Sequence, residues 1–237
     1  MTNAPQFHAD AGRAAGIRPA LPASYLLEYL RDGRTPIRAI SDLAISQSVP
    51  LLSCDGTIIE LGAAGDYYKK FFPATQRYST SDISGAADMV LDMTAMDLPD
   101  NSVAAFISTY SLEHVFDFAK VFQEVYRTLL PGGRFLLIVP FLYHYHAAPD
   151  DYFRFSRSCI EKLLDKFNVL TYVPIGNREI FTAELYHEKS VLGSGRGALW
   201  RFAVRCLALP VLAAGVFRRI EASAFTPAHY YLCEKPA

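Results

Sequence analysis

Neither a dominant charge nor a cysteine framework marks this sequence. Its 23 Lys and Arg face 24 Asp and Glu, for a net charge of −1. No global basic field is therefore present to hold nucleic acid. The four cysteines, Cys54, Cys159, Cys206 and Cys233, are scattered and lack CxxC spacing. That argues against a disulfide scaffold and a zinc knuckle. There is no GxSxG nucleophile elbow, no GxxxxGK[ST] phosphate loop and no GxGxxG dinucleotide fingerprint. The opening stretch MTNAPQFHADAGRAAG has no apolar signal core, so a cytoplasmic location is expected. No internal repeat is visible.

What is present is an alternation of strand, turn and helix. The 237 residues are 51% hydrophobic, enough for one domain with a sizeable core. Residues 1–22 are rich in Ala, Gly and Pro and lack periodicity, so a flexible arm is expected. A domain over 23–237 follows. Helices are predicted from Ala23 to Leu30 and from Pro36 to Ser48, either covering a sheet edge or closing over a ligand. Strands are predicted at Thr57–Glu60, Arg77–Ser81, Met89–Leu91, Val103–Ser108 and Arg134–Pro140. Phe118 to Leu130 has helical periodicity, and Pro131-Gly132-Gly133 is expected to end it with a left-handed cap. Phe135–Ile138 is continuously apolar, as in a parallel strand buried on both faces. The pattern predicts a doubly wound α/β sheet, whose ligands sit beyond the C-terminal strand ends.

The residues at those ends are ELGAAGD after the first strand, Asp82 after the second, Asp92-Met93 after the third and Thr109–His114 after the fourth. Small residues at Gly62–Gly65 let a ligand approach the backbone. Together ELGAAGDYYKKFF, YSTSDIS, LDMTAMDLPDNSVAAFISTYSLEHV and EVYRTLLPGGRFLLIVPF resemble class I S-adenosylmethionine-dependent methyltransferases. HAAPDDYFRFSRSCIEKLL is similar to a subgroup found with bacterial polysaccharide biosynthesis. The resemblance implies a mostly parallel seven-stranded Rossmann-like sheet with an antiparallel last strand. It implies S-adenosylmethionine as cofactor, with Glu60, Gly62, Ala63 and Gly65 against its methionine part. Asp82 would hold the ribose, Asp92 and Met93 the adenine, and Thr109 and Tyr110 would approach the methionine moiety. Ala64 and Asp66 stand where the family usually has further glycines. The implied acceptor is a small molecule or glycan, methylated at oxygen.

Methyl transfer asks mainly for alignment, with a base where a hydroxyl attacks. His114, His144 and His146 lie just beyond strand ends and are the candidate catalytic residues. His144 and His146 with Asp150 and Asp151 lack a well-spaced third ligand, so no metal site is assigned. Asp150, Asp151, Tyr152 and Arg154 either grip an acceptor or pin their own loop. Gly193–Gly197 is read as a linker, since no strand precedes it.

Strands at Val169–Pro174 and His229–Glu234 complete the sheet, and a helix is predicted over Ser158–Phe167. Between the last two strands, about 177–227, lies an insertion longer than ordinary connections. Within 198–220, the apolar run Cys206–Phe217 is flanked by Arg196, Arg201, Arg205, Arg218 and Arg219. That run alone is short of the roughly 20 residues a bilayer requires. The segment packs on the domain, forms a homodimer contact or lies against a membrane. A nicotinamide oxidoreductase and a non-catalytic cofactor-binding or membrane-peripheral scaffold are the alternative functions.

Overall fold

Seven strands form one sheet in the order β3-β2-β1-β4-β5-β7-β6. The computed structural model describes residues 16–52, 54–63, 65–85, 87–147, 149–186, 197–218 and 224–237. The strands are β1 Ile58–Leu61, β2 Tyr78–Asp82, β3 Met89–Val90, β4 Val103–Thr109, β5 Leu129–Pro140, β6 Asn168–Ile175 and β7 Ala228–Glu234. Strands β1 to β5 pair in parallel; β7 runs antiparallel to both β5 and β6. This is the expected α/β, Rossmann-like sheet with an antiparallel last strand.

The apolar run of β5 explains why two layers of helices are needed. Leu136 and Ile138 point into one core, and Phe135, Leu137 and Val139 into the other. Successive strand side chains face opposite ways, so a continuous run demands cover on both faces. Burying each such side chain contributes about 1.5–3 kcal/mol. One face is covered by α1 Tyr25–Asp32, α2 Pro36–Leu52, α5 Arg178–Leu185 and α6 Ala198–Phe217. The other is covered by α3 Phe118–Thr128 and α4 Arg157–Leu163.

Several sequence expectations need correction. Ile17 and Leu21 are buried in the same core as α2, so the described end of the expected arm is packed. Pro131-Gly132-Gly133 does not cap α3. That helix stops at Thr128, and Leu129 already pairs with Val103 as the start of β5. Gly132 has φ of +74° inside the strand, where its N–H donates to Lys235 O at 2.9 Å. After β1 the residues Tyr67–Phe71 form a short 3-10 helix. The Arg157–Leu163 helix is shorter than expected and β3 ends at Val90.

In the insertion, α6 is one continuous helix of 20 residues, running through Pro210. It is long and apolar enough to cross a membrane by length and composition, which the shorter apolar run read from sequence was not. Only the Val204, Ala208, Leu212 and Gly215 face is buried. Asn177 ties it to α5, donating to Gly215 O at 3.0 Å. Ala64, Arg196, Arg219 and most of the Gly193–Gly197 stretch lie outside the described residues.

Candidate active site

Glycine is required at the end of β1. Gly62 has φ of +66°, and a Cβ there would stand 2.6 Å from Ser111 Cβ and 3.2 Å from Met93 Cε. No side chain fits that conformation in that space. The same two contacts bring the ends of β1, β3 and β4 to one point. Hydroxyls fasten the loop from either side. Ser81 Oγ donates to Glu60 O at 2.8 Å, Ser111 Oγ donates to Leu61 O at 3.2 Å, and the Ser108 and Ser111 hydroxyls meet at 2.7 Å. Ala63 is buried and its N–H donates to Ser81 O at 2.9 Å. Gly65 is exposed, with open space around it.

Glu60 points to the opposite face from Ile59 and Leu61 and is 4% exposed. Tyr78 Oη donates to its Oε2 at 2.6 Å. Burial pushes the Glu60 carboxyl up to about 7, against the opposing effects of the Tyr78 bond and of Arg38. A carboxyl poised there changes charge in the physiological range.

Asp82 and Asp92 end β2 and follow β3 with the same device. Asp82 Oδ1 accepts from the Ser84 N–H at 2.7 Å and from the Ser84 hydroxyl. Asp92 Oδ1 accepts from the Thr94 N–H at 2.8 Å and its hydroxyl at 2.7 Å. Such Asx turns fix the carboxylate's direction while its second oxygen stays outside the turn. Met93, half-buried, reaches Gly62. The loop behind it is clamped by Arg127, which donates to Met96 O at 2.9 Å, Leu98 O at 2.8 Å and Asp100 Oδ1 at 2.6 Å.

Thr109 ends β4 and Tyr110 follows with φ of +51°, an unusual conformation for a bulky residue. The Tyr110 N–H donates to Ile138 O at 2.9 Å, and its hydroxyl lies 2.8 Å from Ser41 Oγ on α2. Burial holds that phenol well above the usual tyrosine range, so it stays protonated. Asp42, the next residue of α2, accepts from Tyr67 Oη at 2.6 Å, and the Arg38 guanidinium lies 4.0 Å over the Tyr67 ring. Ser48 on the same helix meets Tyr230 Oη at 2.6 Å. Helix α2 thus covers the sheet and reaches Tyr67 and Tyr110 beside the strand ends.

The histidines gather around a residue the sequence reading passed over. Glu113 is fully buried, and neither carboxylate oxygen has a hydrogen bond. His146 Nε2 lies 3.6 Å and His114 Nε2 4.0 Å from Glu113 Oε1. His114 Nδ1 donates to Asp150 O at 2.5 Å, and His146 Nδ1 to His144 O at 3.1 Å. Asp151 Oδ2 accepts from the His146 N–H at 2.8 Å and lies 3.4 Å from its Nδ1. Glu113 raises the His146 pKa above the ordinary value against the effect of burial. Arg154 holds Asp151 with two bonds, of 2.5 and 2.6 Å, and keeps its carboxyl well below the usual range. Arg154 therefore pins its own loop. His144 stacks near Tyr143, ring centroids 4.4 Å apart, and Tyr143 stands 6.3 Å from the Tyr110 ring. All three histidines are brought together. Glu113 and Ser111 were missed, although both follow the fourth strand end as directly as His114 does.

The family described as "Methyltransferase domain" matches residues 64–137. None of the curated proteins matches the chain. Among solved structures, the geranyl diphosphate C-methyltransferase of Streptomyces coelicolor A3(2) is 15% identical, with a TM-score of 0.54 over 93% of this chain and 90% of that one. It is described in complex with Mg2+, geranyl diphosphate and S-adenosyl-L-homocysteine. The Haemonchus contortus phosphoethanolamine N-methyltransferase 2, in complex with S-adenosyl-L-methionine, is 14% identical, with a TM-score of 0.53 over 90% of this chain and 56% of that one. The [4+2]-cyclase SpnF is also 14% identical, with a TM-score of 0.55 over 90% and 92%. These likenesses are of fold, and one fold carries many chemistries. With the family match, they support a class I S-adenosylmethionine-dependent methyltransferase.

Proposed function

We propose that the protein moves a methyl group from S-adenosylmethionine to a hydroxyl oxygen of a small-molecule or glycan-type acceptor. The observation that carries this reading is the meeting of three strand ends at Gly62, two residues along the chain from Ser111 to the Glu113 cluster. The residues present fit the cofactor. Gly62 lets Ser111 and Met93 close against the loop after β1, and buried Glu60 suits the cationic amino group. Ala63 and Gly65 line the same loop, and Thr109 and Tyr110 flank the methionine part. Asp82, fixed by Ser84, takes the ribose hydroxyls. Asp92 and Met93 take the adenine by polar edge and apolar face.

The bound cofactor supplies a sulfonium-activated methyl carbon, so that a C–O bond forms as the C–S bond breaks. The protein's part is alignment. His114 and His146 face Glu113 and are assigned to the reacting hydroxyl, with His144 placed beside them at the rim. Glu113 makes that side of the site a place for positive charge. The glycan-type acceptor rests on the resemblance of the HAAPDDYFRF stretch to polysaccharide-cluster enzymes. Calorimetric titration with S-adenosylmethionine and S-adenosylhomocysteine, with NADH as control, tests the reading. Binding of the first two alone supports it. Binding of NADH alone overturns it in favour of the oxidoreductase, and binding of none favours a scaffold.

The protein is assigned to the cytoplasm, held against a membrane surface by α6. Leu199, Phe202, Leu207 and Phe217 are exposed there, with Trp200 at the helix start. The helix holds no acidic residue, which suits an anionic surface, while Arg205 is turned inward against Gly33 of the α1 end. Sedimentation with anionic vesicles at low salt should carry the wild type down and leave Leu207→Glu in solution. A stable dimer in vesicle-free solution, with no sedimentation, would assign the face to a second copy instead.

A further inference from the structure

The geometry points to a divalent transition-metal site formed by Glu113, His114 and His146. Their ligand atoms all lie within 4.8 Å of one another. Two imidazoles and one carboxylate converging on a single point, with the remaining positions open, is a ligand set for Zn2+, Fe2+ or Mn2+.

Three features of the cluster fit an ion better than an ion pair. Glu113 is fully buried, yet its carboxylate makes no hydrogen bond. A protonated histidine serving that carboxylate would sit at about 2.7–2.9 Å. The nearer Nε2 stands at 3.6 Å and the other at 4.0 Å. Ligands bonded to one tetrahedral ion at about 2.0–2.1 Å lie roughly 3.3 Å apart, against the 3.6 and 4.0 Å that separate Glu113 Oε1 from the two imidazoles here.

The tautomers agree. A carbonyl oxygen only accepts, so His114 Nδ1 carries the proton it gives to Asp150 O. His146 Nδ1 likewise carries the proton it gives to His144 O. In each ring Nδ1 is taken by a carbonyl, which leaves Nε2 as the atom turned toward Glu113.

The outer partners are also in place. Asp151 stands 3.4 Å from His146 Nδ1 and is itself locked by Arg154. Carboxylate, histidine and ion in that order is the arrangement that orients metal-bound imidazoles. The backbone adds to it, since the Tyr152 N–H donates to Glu113 O at 2.9 Å and holds the two segments together. His146 and His114 remain partly open to solvent, which provides an entry path.

The role of the ion rests on the methyltransferase reading, although the site does not. An acceptor with two adjacent oxygens would occupy the open positions. A bound ion would lower the proton affinity of a coordinated hydroxyl, whose proton would pass to water; the oxygen would then attack the methyl carbon as the C–S bond breaks and S-adenosylhomocysteine leaves. The substrate class is therefore a chelating oxygen acceptor, such as a vicinal diol or a hydroxy acid.

The test is titration of the full-length, chelator-treated protein with Co2+, followed by calorimetry and visible absorption. One equivalent should bind with ligand-field bands that Zn2+ abolishes. His146→Gln and His114→Gln should each weaken binding more than about 100-fold, and Asp151→Asn about 10–100-fold. These variants keep Glu113 in place, and matching melting curves show that they fold. Titration of the same samples with S-adenosylmethionine separates the two readings, because the cofactor should bind with or without the ion. No Co2+ binding by the wild type, or equal binding by the histidine variants, would overturn the metal site and leave the methyltransferase reading intact.

Discussion

Glu60→Gln should stabilise the protein above neutral pH and weaken cofactor binding. The buried carboxyl is raised from 4.5 to about 7. At about 1.4 kcal/mol per tenfold change in proton affinity, ionising it in the native state costs about 3 kcal/mol. The native state holds this proton more tightly than the unfolded chain does. The stabilisation is therefore complete below pH 4.5 and is lost as pH rises through about 7. Glutamine is neutral throughout and still accepts the Tyr78 bond through its amide oxygen. Urea denaturation at about pH 5 and about pH 8 should show the mutant gaining on the wild type by about 2–3 kcal/mol between the two. Parallel stability curves, differing by less than about 0.5 kcal/mol across that range, would refute the assignment. The same carboxyl couples protons to cofactor binding. A cation placed against it favours the ionised form, so binding at about pH 6 should release protons. Calorimetry in buffers of different ionisation heat reads that release directly, and the release should vanish in Glu60→Gln.

Three other substitutions test the frame of the site. Gly62→Ala adds left-handed strain of about 1 kcal/mol and a Cβ 2.6 Å from Ser111 Cβ. It should lower stability by more than about 2 kcal/mol in urea and abolish cofactor binding. Asp82→Ala should weaken cofactor binding with little change in melting temperature, since among the described residues its side chain bonds to Ser84 alone; unchanged affinity would make Asp82 only a turn residue. Arg127→Ala releases Met96 O, Leu98 O and Asp100 from one clamp. It should cost about 2 kcal/mol and speed amide exchange across 92–100, with a smaller loss of cofactor affinity than Asp82→Ala.

The fold was legible because its signals are local and repeated. Apolar runs bounded by turns mark each strand, and Phe135–Val139 alone announces two cores. The misreadings came where tertiary pairing overrides local chemistry. Pro131-Gly132-Gly133 has the composition of a helix stop, but the Gly132 N–H finds Lys235 O just past the neighbouring strand β7, and the segment joins the sheet. Ile17 and Leu21 carry no periodicity, so nothing in their neighbourhood announces that α2 buries them. In α6, reading only the unbroken apolar stretch hid the full helix, because Arg201 and Arg205 interrupt the sequence without interrupting the backbone. Glycines and turn aspartates of the cofactor side are visible because their roles are backbone roles, fixed within a few residues. Glu113 is different in kind: its carboxylate acquires meaning only from burial and from His146, 33 positions away in the sequence.

Tyr110 is the element that joins the two halves of the site. Its positive φ turns the chain at the end of β4, so that Ser111 passes beneath Gly62 and Glu113 turns inward toward the histidines. Conformations of this sort cost about 1–3 kcal/mol and persist only where surrounding bonds over-determine them. Here the N–H is held by Ile138 O and the hydroxyl by Ser41 on α2. The strain therefore sits on the residue that sets the distance between the Gly62 turn and the Glu113 cluster, and α2 helps to hold it. Displacing α2 would release Tyr110 and shift Ser111 and Glu113 together. The Gly62 turn and the Glu113 cluster are thus linked through Tyr110, whose conformation is fixed from the sheet by Ile138 and from α2 by Ser41.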